Sequence, residues 1–70
     1  MMTNLLEYVV IKQDELKAFK GELASTAQLI EAGGKLIMAR NADEAEEVYV
    51  TEHGGSINDL VTFIAWREQQ

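Results

Sequence analysis

An almost wholly apolar run, Leu5-Leu6-Glu7-Tyr8-Val9-Val10-Ile11, comes first along the chain. Its branched and aromatic side chains favour a strand. Apolar residues fall on both of its faces, so that strand is expected to be covered on both sides or paired centrally. The period then changes. Leu16, Phe19, Leu23, Ala27 and Ile30 recur at steps of three and four and share one helical face. Asp14 stands where a cap or first-turn acid belongs and Gly33 where a helix stops, which predicts an amphipathic helix over residues 14–32.

There is no proline, so the breaks are read from two glycine pairs, Gly33-Gly34 and Gly54-Gly55. Between them Lys35 to Arg40 (KLIMAR) and Glu47 to Glu52 (EVYVTE) pattern as strands, with the polar stretch Asn41 to Glu46 as a hairpin loop. A competing reading makes Asn41 and Glu44 a capping box and residues 42–53 a helix stopped by Gly54. The consecutive β-preferring residues Val48, Tyr49, Val50 and Thr51 favour the hairpin. Beyond the second glycine pair, Ser56 with Asp59 resembles a capping box. Ile57, Leu60, Val61 and Ile64 then line one face of a helix running to about Arg67.

The predicted fold is α+β, a single small domain over residues 1–70 in the order strand-helix-strand-strand-helix. Two helices cover one face of a three-stranded sheet, with a right-handed first crossover and an antiparallel later strand pair. The alternative is an all-α three-helix fold. Positions 5, 9, 12, 16, 19, 23, 26 and 30 also keep a four-three spacing, and Asn4 with Glu7 would cap a longer first helix. Lys12 and Thr26 interrupt that seam, and Tyr8 to Ile11 is rich in β-formers.

Composition narrows the function. With 47% hydrophobic and 26% charged residues the chain can build a core, although at 70 residues that core supplies only about 3–5 kcal/mol. No cysteine is present to form a disulfide, and a lone histidine argues against a zinc cluster. The staple left is association with a copy of itself or with a partner. The net charge of −6 argues against direct contact with nucleic-acid phosphates or anionic lipid and permits attraction to a basic protein surface. There is no apolar run of about 18 residues and no basic-then-apolar leader, so neither a membrane span nor a signal peptide is expected and the cytoplasm is the expected location.

Candidate chemistry is sparse. His53, Ser56 and Asp59 lie close in sequence, but working triads converge from separate elements, and Ser56 with Asp59 already serves as a cap. The stretch His53-Gly54-Gly55-Ser56 precedes a predicted helix start, where free N–H groups can attract an anion. No catalytic residue, cofactor or metal site is expected. The strongest local feature is acidic: Asp43, Glu44, Glu46, Glu47 and Glu52 form a run of carboxylates with no basic residue among them. A solvated face explains it, and so does a contact patch for a basic partner. In the predicted last helix Phe63 lies about 120° and Trp66 about 180° from Ile57, off the core stripe, where large aromatics suit an interface. Ala18, Gly21 and Ser25 form a small-residue stripe on the outer face of the predicted first helix, where another backbone can approach.

The acidity, the predicted element order and the fragment Gly21-Glu22-Leu23-Ala24 resemble small DNA-damage-inducible modulators of the recombinase filament. That family carries its acid in the last helix, whereas here it lies mid-chain, and no residue roles carry over. The expected function is a small acidic non-enzymatic interaction module. It inhibits or modulates a basic nucleic-acid-handling protein, as small regulators of phages and mobile elements do. Asp43, Glu44, Glu46, Glu47 and Glu52 would steer, and Phe63 and Trp66 would anchor. The alternative is a self-associating subunit, a homodimer or higher oligomer.

Overall fold

The computed structural model describes residues 5–20 and 24–65. Strand β1 (Leu6–Lys12) takes the apolar run at the head of the chain and sits in the middle of a three-stranded sheet. Its neighbours are β2 (Lys35–Ala39) and β3 (Leu60–Ile64), both antiparallel to it. Tyr8 lies opposite Ile37 on one side and Ile64 on the other. Opposed residues share a face and successive residues alternate faces. Leu6, Tyr8 and Val10 therefore share one face with Lys35, Ile37, Ala39, Leu60, Thr62 and Ile64. Val9 and Ile11 share the other with Leu36, Met38, Val61 and Phe63.

Each face has its own core. On the first, Tyr8, Val10, Ile37, Ala39 and Leu60 pack against Ala45 and Tyr49 of helix α3 (Ala42–His53). On the second, Val9 and Ile11 pack against Leu29 of helix α2 (Thr26–Glu31). Leu16, from the short helix α1 (Gln13–Leu16), joins that second cluster together with Phe19 from the 3-10 turn at Lys17–Phe19. Val9, Val10 and Ile11 are fully buried. A strand with apolar residues on both faces can be satisfied only between two layers, which is the central position expected for it.

The α+β class and the three-stranded sheet stand, and the all-helical alternative is excluded. The element order is different: strand, helices, strand, helix, strand. The helices lie on opposite faces of the sheet rather than on one. No parallel crossover links β1 to β2, since the two are antiparallel. The parallel pair is β2 and β3, which flank β1 and are joined through α3.

Three local corrections have local causes. Residues 47–52 are helical, because Asn41 caps the helix: its Oδ1 accepts a hydrogen bond from the Glu44 N–H at 2.8 Å. Glu44 in turn accepts from the backbone N–H of Arg40 at 2.7 Å, one residue further back than a standard capping box. Gly54 ends the helix at φ +82°, its N–H bound to Val50 O. The predicted helix over 14–32 is interrupted. Lys20 adopts φ +53°, and the helix restarts at a reciprocal box in which Ser25 N–H donates to Gln28 Oε1 and Gln28 N–H donates to Ser25 Oγ. Ser25 is therefore a cap and not a member of an outer small-residue face, and Gly21 lies outside the described residues. Finally, Ser56 does cap, but only the 3-10 turn Ile57–Asp59, after which the chain runs on as strand β3.

Candidate functional site

Helix α3 carries all five of the singled-out carboxylates, and the structure divides them by duty. Ala45 and Tyr49 face the sheet and are buried. Asp43 and Glu47, one turn apart, are exposed on the outward side. Glu44 is engaged at the helix start with Arg40, through the backbone N–H and through a side-chain ion pair at 3.5 Å. Glu46 accepts a hydrogen bond from Thr62 Oγ1 at 2.7 Å and so ties α3 to β3. Glu52 lies about 180° around the helix from Asp43 and stands 3.9 Å from His53 Nε2. The His53 ring tilts against Tyr49 with centroids 4.9 Å apart. The five acids thus do not make one patch: Asp43 and Glu47 form the outward pair, two others fasten the helix, and Glu52 points elsewhere.

The duty of Glu46 is open to measurement. Thr62→Val keeps the shape of β3 and removes the donor from a part-buried carboxylate. It is expected to lower stability by about 1–2 kcal/mol, read as a lower urea midpoint with unchanged slope.

Phe63 lies on β3, not on a helix. It shares the α2 face of the sheet with Val61, beyond the cover of the helix, and is exposed. Trp66 lies outside the described residues. Neither the triad reading nor the anion-binding reading of residues 53–59 gains support. Ser56 Oγ accepts from Asn58 N–H and Ser56 O accepts from Asp59 N–H, so those donors are already used on a three-residue turn. Gly54, Gly55 and Ser56 do border a cleft of about 290 Å³ with Lys12, Asp14, Tyr49 and Asp59. Among the described residues no group of three or more His, Asp or Glu is arranged to hold a metal ion. Nor is any helix among them long and apolar enough to cross a membrane.

Spacing along the chain did not reveal a second surface. Leu36 and Met38 are 47% and 52% exposed, and Ile64 is 63% exposed. Leu5, Leu6, Met38, Ile64 and Ala65 border an open depression at one end of the sheet. In sequence these side chains look like core. Only the sheet order shows that β2 and β3 are edge strands, with Leu36 and Met38 exposed on the α2 face and Ile64 exposed on the α3 face. Comparison with protein-family models, curated proteins and solved structures finds no match.

Proposed function

We propose that the protein is a non-enzymatic interaction module that binds a basic surface on another protein, of the kind that holds nucleic acid, and so inhibits or modulates that partner. One observation carries the reading: Asp43 and Glu47 stand side by side on the outward face of a helix whose orientation is fixed independently of them. Tyr49 and Ala45 hold α3 to the sheet, and Asn41 with Glu44 holds its start. The outward acids are therefore presented by a firm support in a chain of net charge −6. A negative field of this kind speeds encounter with a basic surface and repels nucleic acid and anionic lipid. A cytoplasmic location fits a cysteine-free chain of this type.

Asp43→Asn with Glu47→Gln leaves the fastening acids intact, so it tests the surface rather than the fold. Capture of a basic partner from a cell lysate, eluted along a salt gradient, is expected to weaken by roughly 3- to 30-fold and to lose part of its salt dependence. Elution unchanged in both respects would overturn the reading.

A further inference from the structure

We propose that two copies of this chain pair through the open edge of β2, antiparallel about a two-fold axis at Ile37, to give one continuous six-stranded sheet. This goes beyond the acid-led binding above and does not depend on it, since it uses neither Asp43 nor Glu47.

The geometry of β2 is self-complementary. β1 occupies one side of β2, and among the described residues no strand occupies the other. The edge is a regular run, Lys35-Leu36-Ile37-Met38-Ala39, without the proline or bulge that usually blunts an edge. An axis at Ile37 places Leu36 of each copy opposite Met38 of the other on the α2 face. Both side chains are about half exposed in the single chain, because α2 packs over β1 and leaves them uncovered. Pairing joins four apolar side chains into one cluster. It also satisfies the free backbone donors and acceptors of the edge.

Charge selects the same arrangement. Lys35 lies on the α3 face and makes no ion pair among the described residues. In this register it stands opposite Ala39 of the second copy, at a cross-strand Cα separation of about 4.5–5.5 Å. The next residue of that copy, Arg40, donates its backbone N–H to Glu44 at 2.7 Å. The Glu44 carboxylate of the second copy is thus within reach of Lys35, and the symmetry makes two such pairs.

The other edge is disfavoured by the same reasoning. An axis at Thr62 would pair β3 with itself and bring together two Glu46 carboxylates, each held at 2.7 Å by its own Thr62 hydroxyl. Like charges set opposite one another destabilise a strand pair. Joining β2 of one copy to β3 of the next would not close and would grow a fibre. The β2–β2 pair closes, and mass action then adds to a core limited by chain length.

The test is sedimentation equilibrium of the full chain from about 1 to about 200 µM. A concentration-dependent dimer is expected, and Leu36→Lys with Met38→Lys is expected to raise its dissociation constant about 100-fold or more while far-UV circular dichroism is unchanged. The register has its own readout. Leu36→Cys and Met38→Cys chains, mixed under mild oxidation, should form the mixed disulfide in preference to either symmetric one. A wild-type chain that stays monomeric over that range would overturn the proposal. So would a dimer indifferent to residues 36 and 38, or symmetric disulfides at those positions in place of the mixed one.

Discussion

Ile11→Ala is expected to leave most of the chain unfolded at 25 °C. Ile11 is fully buried and, with Val9 and Leu29, forms the buried set of the second core among the described residues. Truncating a buried isoleucine to alanine costs about 2–5 kcal/mol, because lost burial and an unfilled cavity add. A domain of this length holds about 3–5 kcal/mol in total. The loss is therefore of the same size as the stability. Ile11→Val, which removes one methyl group, costs about 0.5–1.5 kcal/mol and should still fold. Far-UV circular dichroism with urea melts at a fixed protein concentration checks both. A cooperative, nearly unshifted melt for Ile11→Ala would mean that the α2 face contributes little.

Gly34→Ala is expected to cost about 2–4 kcal/mol, more than the same change at Gly54. The two sites separate close packing from backbone conformation. At Gly34 an added Cβ would lie 2.8 Å from the Leu29 carbonyl oxygen and 2.8 Å from Val9 Cγ1. Neither neighbour is free to move: Leu29 O accepts the Gly34 N–H at 2.8 Å, and Val9 is fully buried in the second core. The turn from α2 into β2 passes so close to the core that only a hydrogen fits. At Gly54 an added Cβ meets nothing within 4 Å, and only the positive φ of +82° resists it, at about 1 kcal/mol. Urea midpoints of the two variants give the comparison. An equal cost at both sites would show that conformation, not contact, governs these glycines.

Much of the sheet was readable in the sequence. The run from Leu5 to Ile11 differs from β1 by one residue at each end, and its two-sided apolar character implied the central place it takes. Lys35 to Arg40 matches β2 to within one residue. The signals for α3 were also present. Asn41 and Glu44 act at its start and Gly54 at its end, but the β-preferring Val48 to Thr51 outweighed them. Propensity lost there to packing: Tyr49 is buried against the sheet with Val48 and Val50 half-buried beside it, a gain available only once the sheet exists. The helix predicted for the last part failed for another reason. Leu60, Val61 and Ile64 fit a helical spacing and a strand alternation equally well, and the Ser56 cap acts on one short turn.

The site was less legible than the fold. The acidic run was visible, yet the sequence could not show that Glu46 is held by Thr62, a residue on another element. Nor could it show that Asp43 and Glu47 alone share the outward side. The exposed Leu36 and Met38 were indistinguishable from core, because the edge position of β2 is a property of strand order.

The central place of β1 also governs how the molecule must assemble in time. Every partner of its ladder lies far along the chain, Val10 with Lys35 and Tyr8 with Ile64. Of the three described strands β1 is made first, and it lacks both of its sheet neighbours until β2 arrives on one side and β3, the last described element, on the other. Closing such distant contacts is slow compared with winding a helix of equal length. During that wait a chain segment of bare branched and aromatic side chains, with two unsatisfied edges, is exposed to other copies. Early termination or crowded overexpression should therefore yield insoluble material from this strand, even where the finished domain is well behaved.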